Sequence, residues 1–263
     1  MGLFDNKIAL ITGSGRGIGR AIAMHFARNG ADVAVNFFRN RSPAEATVAD
    51  VQALGRRAWA IRADVGDLED ITRLFDEVEC QCGGLDIFIG NAASGYNRPV
   101  MQQKPKGWDW TMNINARSLL FAAQRAAPLM EKRGGGYIVS ITSPGSFRVL
   151  PDYIVVGASK AALEALTRYL AVELSPKNII VNAVSPGIVR TAALDHFDIL
   201  KDHSLIDRYA AATPARRLVS PEDVAGVVSF LCTPAAGMIR GQTIIVDGGY
   251  SLPYSIDALN VDH

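Results

Sequence analysis

The sequence lacks the features that mark several special classes of protein. It has three cysteines in 263 residues, too few for a disulfide framework. Cys80 and Cys82 have no histidine nearby, so no metal site is expected. That scarcity fits a reduced, cytoplasmic compartment. No excess of either charge exists: 27 Lys and Arg face 26 Asp and Glu, a net charge of +1. This excludes the basic footprint of a nucleic-acid binder and the polybasic patch of a membrane-surface protein. No stretch approaches the roughly 20 apolar residues of a spanning helix. The opening MGLFDNKIALITG lacks the basic start and long apolar run of a signal peptide. His25, His196, His203 and His263 are scattered without triad or ligand spacing and are assigned no chemistry.

What the chain does have is apolar content, 49% of its residues, and enough length to bury a sizeable core. Short runs rich in Val and Ile fall at Lys7–Thr12, Asp32–Asn36, Ala58–Arg62, Leu85–Ile89, Tyr137–Ile141, Ile179–Val184 and Thr243–Val246. Segments with helical spacing lie between them: Ile18–Asn29, Pro43–Leu54, Leu68–Cys80, Trp108–Lys132, Ser159–Leu174 and Pro221–Leu231. Runs that are apolar throughout belong to strands buried on both faces, as in a parallel sheet covered by helices. The alternation predicts an α/β chain with one doubly wound, Rossmann-type domain over residues 1–263, its seven-stranded parallel sheet covered by helices on both faces. No repeat or Pro/Gly-rich linker divides it, and the glycines at Gly134–Gly136 read as a helix stop. The segment Ala192–Pro214 breaks the rhythm with mixed polarity and is expected to be a substrate lid.

Directly after the first strand comes Thr12-Gly13-Ser14-Gly15-Arg16-Gly17-Ile18-Gly19, opening into a helix. Glycines in such a turn let the backbone approach a pyrophosphate, which rests on free N–H groups at the helix start. The second strand indicates which nicotinamide cofactor is bound. NAD sites end this strand with an acid that grips the ribose 2′-hydroxyl. Here it ends in Phe37, Phe38, Arg39, Asn40 and Arg41, while Asp32 lies at the wrong end. With no carboxylate available, Arg16 and Arg39 suit a 2′-phosphate, so NADPH is expected, with Phe38 and Asn40 beside it.

Further motifs converge on a family. Besides the Thr12–Gly19 loop, the chain carries Asp64-Val65, Asn91-Ala92-Ala93, Asn115, Ser143, Lys160, Pro186-Gly187 and Asp247-Gly248-Gly249. Over nearly its whole length it resembles the short-chain dehydrogenase/reductase superfamily. The resemblance implies an NAD(P)-dependent oxidoreductase in which Asp64 and Val65 hold the adenine. Asn91, Ala92 and Ala93 would line the cofactor cleft, and Pro186, Gly187, Ile188 and Thr191 would lie along the nicotinamide end.

One departure is informative. The superfamily's usual Tyr-x-x-x-Lys has Val156 in the tyrosine's place, and the nearest tyrosine is Tyr153, with six residues between it and Lys160. In a continuous helix the two spacings would lie about 40° or about 20° off one face, the longer one roughly 4.5 Å further along the axis. Because Tyr153 follows Pro151-Asp152, a position just before the helix is equally open. The long spacing is similar to that of bacterial enoyl-[acyl-carrier-protein] reductases. The segments Asn91–Gly95, Arg98–Met101, Trp108–Asn115 and Tyr153–Leu170 resemble the type III enzyme of Gram-positive bacteria. Two parts do not follow it: the Ser185–Thr191 turn and the segment at 192–214.

The resemblance implies hydride transfer to the β-carbon of a trans-2-enoyl thioester, carried by coenzyme A or acyl carrier protein. Tyr153 would stabilise the enolate oxygen. Lys160 would bind the nicotinamide ribose and lower the tyrosine's pKa. Ser143 would be a second donor, and Asn115 would shape the neighbouring helix and hold a water. The alternative is a carbonyl reductase or alcohol dehydrogenase of the same superfamily. Helix Ser159–Leu174 is apolar around more of its circumference than a sheet face can bury, which predicts a homotetramer.

Overall fold

The structure, a computed structural model, describes residues 2–190 and 203–252. Its strands are β1 (Ile8–Ile11), β2 (Asp32–Phe37), β3 (Ala58–Arg62), β4 (Ile87–Gly90), β5 (Gly136–Ile141), β6 (Ile179–Pro186) and β7 (Thr243–Val246). They pair in the order β3-β2-β1-β4-β5-β6-β7, every pair parallel. The helices are α1 (Gly17–Arg28), α2 (Arg41–Ala53), α3 (Leu68–Cys82), α4 (Pro105–Met112), α5 (Ser118–Glu131), α6 (Ile154–Glu173), α7 (His203–Ala212) and α8 (Pro221–Leu231).

Side chains of one strand feed two cores. Ala9, Ile11, Val33 and Val35 pack with Ile22 and Phe26 of α1, Val51 of α2 and Val228 of α8. Ile8, Leu10 and Ala34 point the other way, onto Phe75 of α3, Ala123 of α5 and Leu163 of α6. That two-sided burial is why the strands read as continuous apolar runs. The single sheet and the helices on both its faces are those expected. Among the described residues no helix is long and apolar enough to cross a membrane.

Most helix ends fall within two residues of the expectation, and the larger departures are two early starts and one interruption. The segment expected as one helix at Trp108–Lys132 begins earlier, at Pro105, whose missing N–H costs nothing at a first helical position. A π-helical turn, Asn113–Arg117, interrupts it. The helix expected from Ser159 begins at Ile154, because burial of Val155 and Val156 overrides the weak helix propensity of a β-branched run followed by Gly157. Of the segment expected to form a lid, residues 192–202 lie outside the described residues; the rest holds α7.

The strand order reverses between β1 and β4, so loops leave them in opposite directions and open a crevice beyond their carboxyl ends. Thr12, Asn91, Ser143 and Pro186 all stand at that edge.

Candidate functional site

The loop between β1 and α1 is fastened by polar side chains from two neighbouring strands. Thr12 Oγ1 donates to the Ile89 carbonyl at 3.2 Å and accepts the Asn91 and Ala92 N–H groups at 3.0 Å each. The Asn91 amide donates back to the Thr12 and Gly13 carbonyls at 2.8 and 3.2 Å. Asn36 of β2, fully buried, accepts Gly13 N–H at 3.3 Å and donates to Ala63 and Ile61 carbonyls on the β3 side. A Cβ at Gly19 would lie 2.5 Å from Asn91 Nδ2 and 2.6 Å from the Gly13 carbonyl, so the closure needs a glycine. Arg16 caps α1 in extended backbone with no side-chain hydrogen bond, and no acid stands in the first turn. The N–H groups of Gly17, Ile18 and Gly19 therefore present positive potential without a competing carboxylate, a cradle that fits a pyrophosphate.

Past β2, Phe38 is 37% exposed, with the Arg39 and Arg62 guanidinium groups 5.6 and 5.8 Å from its ring centre. Arg62 also donates to the Phe38 carbonyl at 3.2 Å. Exposed Arg16, Arg39 and Asn40 share this end, while Arg41 is paired with Glu45. Asp32 serves the opposite end, held by Arg56 and Arg57. The carboxyl end of β2 thus gathers guanidinium groups and an amide and no carboxylate, a set with the chemistry to meet a phosphate. Arg62 was not singled out in the sequence because it lies 24 residues from Phe38, on a separate strand. Beyond β3, the Asp64 carboxylate accepts Gly66 N–H at 2.8 Å and Asp64 N–H donates to Asp70 at 2.8 Å, which fixes the half-buried Asp64–Val65 turn.

At the reacting end Tyr153 is the N-cap residue of α6, outside the helix proper. Asp152 before it is left-handed at φ +58°, and its carbonyl accepts Arg98 N–H at 2.8 Å. Val156 occupies the slot one turn before Lys160 and is buried against the loop after β4: a Cβ at Gly95 (φ +158°) would come within 2.2 Å of Val156 Cγ2. Ser143 Oγ and the Tyr153 hydroxyl lie 3.5 Å apart. Burial pushes the Tyr153 phenol up from its ordinary value, opposed by the Ser143 hydrogen bond. The lowering expected from Lys160 does not appear: desolvation of the phenol outweighs the Ser143 hydrogen bond, which favours the phenolate.

Lys160 is 5% exposed and donates to the Ile141 carbonyl at 2.8 Å. Burial draws its pKa down from 10.5 to about 8, with the Glu164 carboxylate opposing. Asn115 stands in the π-helical turn with its amide fully engaged: it accepts Ser94 N–H and donates to the Ser94 carbonyl, both at 2.8 Å, and to Ser159 Oγ at 2.9 Å. It ties the loop after β4 to the first turns of α6, which makes it a positioning residue here. A π-turn is a recurrent way to aim one side chain into a site.

The far wall comes from β6. Gly187 N–H donates to the Val246 carbonyl at 2.9 Å, and the Ile188 carbonyl accepts Val219 N–H at 3.2 Å. Thr191 lies outside the described residues. Above this wall Tyr209 of α7 stacks on Tyr250, ring centres 3.8 Å apart. Burial, then Tyr250 and Asp247, push the Tyr209 phenol up. The described residues hold no group of three or more His, Cys, Asp or Glu side chains able to hold a metal.

Comparison with known proteins agrees with this geometry. Residues 13–251 match the family described as Enoyl-(Acyl carrier protein) reductase. The chain is 40% identical over 255 residues to 1-cyclohexenylcarbonyl-CoA reductase of Streptomyces collinus, a match covering 96% of this chain and 90% of that one. It superposes on a short chain dehydrogenase from Burkholderia cenocepacia in complex with NADP with a TM-score of 0.87 at 36% identity, covering 94% of this chain and 99% of that one. A 7α-hydroxysteroid dehydrogenase complexed with NADH and 7-oxo glycochenodeoxycholic acid matches with a TM-score of 0.87 at 36% identity, covering 94% of each.

Proposed function

The chain belongs to the short-chain dehydrogenase/reductase superfamily, and on that premise we propose that it is an NADPH-dependent reductase of trans-2-enoyl thioesters. One observation carries the reading: Val156 fills the slot one turn before Lys160, and the tyrosine stands three residues earlier, at the cap of α6. In an enoyl thioester the oxygen that gains charge lies three bonds from the carbon that takes hydride. In a ketone it lies on that carbon. A hydroxyl set back from the lysine suits the longer separation. The apolar rim supports an acyl substrate: Val149 and Met101 are 99% and 91% exposed, with Phe147, Leu150 and Ile154 exposed beside Tyr153. The name of the Streptomyces relative, which describes an unsaturated acyl thioester, is in keeping with it.

The residues present fit the cofactor. The Gly13–Gly19 loop would hold the pyrophosphate, Arg16 and Arg39 the 2′-phosphate, Asp64 and Val65 the adenine, and Gly187 and Ile188 the nicotinamide face. When bound, the reduced nicotinamide supplies the hydride. Tyr153, kept protonated at neutral pH by its burial, donates a hydrogen bond to the developing enolate oxygen. Ser143, within reach of that phenol, steadies it or donates to the same oxygen. Lys160, cationic below about pH 8, fixes the ribose and stabilises negative charge beside it.

The Ser143–Tyr153 pair also favours a second reading, a carbonyl reductase in which both hydroxyls grip a ketone oxygen. The loss of NADPH absorbance on crotonyl-CoA and, separately, acetoacetyl-CoA decides between them. Our reading expects turnover of the crotonyl ester; turnover of the keto ester alone overturns it. The acyl group would be delivered on coenzyme A or acyl carrier protein, in fatty-acid synthesis or a related acyl pathway. Part of the segment at 192–214 would cover it, with α7 anchored through Tyr209 and Tyr250. The free thiols of Cys80, Cys82 and Cys232 support a reducing, cytoplasmic setting. Two exposed apolar patches, Tyr169 and Val172 on α6 and Phe230 and Ile245 on α8 and β7, support a closed homotetramer. Light scattering should give four times 28.2 kDa, and a monomer at micromolar concentration removes the assembly.

A further inference from the structure

Four residues after Lys160, α6 carries a carboxylate for which the reading above has no task. Helical spacing puts Lys160 and Glu164 on one face, one turn apart. Both reach the segment that leaves β5. Lys160 Nζ donates to the Ile141 carbonyl at 2.8 Å. Glu164 Oε1 accepts the Thr142 hydroxyl at 2.8 Å and the Ser146 hydroxyl at 2.5 Å. Ser146 Oγ is also 2.9 Å from the Ser143 carbonyl, and its one proton goes to the charged acceptor, the stronger of the two. Residues 141, 142 and 146 are therefore pinned to α6 on both sides of Ser143, whose hydroxyl stands 3.5 Å from that of Tyr153.

We propose that Glu164 is a positioning residue of the reductase site, holding the segment that carries Ser143 against α6 and setting a carboxylate one turn from the Lys160 ammonium. The proposal rests on reading Tyr153 and Lys160 as the reacting pair. Its mechanical part follows from the bracket: without Glu164, the loop after Ser143 loses its charge-assisted tie to α6, leaving the Lys160 contact and the long 3.5 Å Ser143–Tyr153 contact on that side. Its electrostatic part follows from burial. A cation at 5% exposure loses most of its hydration, and β5 gives Lys160 a neutral carbonyl. The loop facing Glu164 contributes two neutral hydroxyls, so among the described residues Glu164 is the charged group acting on Lys160.

The two parts separate by substitution. Glu164→Gln keeps an oxygen acceptor for Thr142 and Ser146 and removes the charge. Glu164→Leu removes both. The readouts are the pH profile of kcat on whichever thioester the wild type reduces, and the pH dependence of NADPH binding followed by nicotinamide fluorescence. For Glu164→Gln the alkaline limb should move lower by about one pH unit in both readouts. For Glu164→Leu kcat should fall about tenfold or more across the whole profile, and Glu164→Asp should recover part of it. A Glu164→Gln profile that overlays the wild type, together with wild-type kcat in Glu164→Leu, overturns the proposal. A Glu164→Leu chain that does not fold leaves the decision to Glu164→Gln. Wild-type protein that oxidises NADPH on neither thioester refutes the enoyl and keto readings alike, and Glu164 is then judged by NADPH binding alone.

Discussion

The slot filled by Val156 is what sets Tyr153 apart, and a methyl group at residue 95 tests it. Gly95→Ala would put Cβ 2.2 Å from Val156 Cγ2, where carbon atoms pack at ~3.5–4.0 Å. Val156 is buried in the first turn of α6, and a helical valine has one strongly preferred rotamer, so its methyl cannot swing aside. The loop or the helix start must shift, at a cost of about 1–3 kcal/mol for an overpacked site. Val156→Ala alone loses two methyl groups of burial and leaves a small void, about 2 kcal/mol. In Gly95→Ala/Val156→Ala the new methyl enters the space the valine vacated. The double variant should therefore be less destabilised than the sum of the singles by about 1–2 kcal/mol. Guanidinium unfolding at one protein concentration, followed by circular dichroism, measures all four corners of the cycle. Gly95→Ala should also lower kcat, because the shift is passed to Tyr153 three residues away. Additivity within about 0.5 kcal/mol would refute the packing of residue 95 on residue 156, and with it the account of why the tyrosine sits where it does.

Other consequences are open to measurement. Lys160 has a pKa of about 8 in the folded chain against an ordinary value of 10.5, so its cation is present below about 8 and lost above it. NADPH-dependent turnover should fall as pH rises through that value, and a profile flat to about pH 10 contradicts the role of Lys160. Between the two values the unfolded chain binds the extra proton, so this group's contribution to unfolding free energy should increase with pH there. Arg39→Ala should weaken NADPH binding about tenfold and NADH binding by less than about twofold, by fluorescence titration; equal losses would remove the 2′-phosphate assignment. Asp86, with its side chain 3% exposed, accepts from Lys7, Arg133 and the Ile8 N–H. Asp86→Ala should cost about 2–3 kcal/mol in denaturation, below the figure for a fully buried pair because both cations keep contact with water. A loss under about 0.5 kcal/mol would show that the network is not structural.

Much of this was legible in the residues because the physics that forms it is local. Strands buried on both faces must be apolar throughout, so the seven runs announced themselves, and their ends shifted by two residues at most. A glycine-only turn and an arginine-rich strand end are readable for the same reason: chemistry at one position dictates the residue type. The rest depended on contacts between distant segments. Asn36 looks like a flaw in a strand until the Gly13 loop, 23 residues back, is seen to hang from it. Glu164 looks like a solvated helix residue until β5 brings Thr142 and Ser146 to its carboxylate. The π-helical turn at Asn115 has no period that marks it, and the direction of the Tyr153 shift is set by burial that only the assembled fold supplies.

The central claim is that hydride reaches the β-carbon of an unsaturated thioester while Tyr153 holds the oxygen. NADPH carrying deuterium at the transferable position, incubated with crotonyl-CoA and the wild-type protein, tests it directly. Mass spectrometry of the product should find butyryl-CoA with one deuterium on the β-carbon, and its formation should collapse in Tyr153→Phe at unchanged cofactor affinity. Unlabelled crotonyl-CoA recovered intact, with acetoacetyl-CoA reduced to a deuterated alcohol under the same conditions, would contradict the claim.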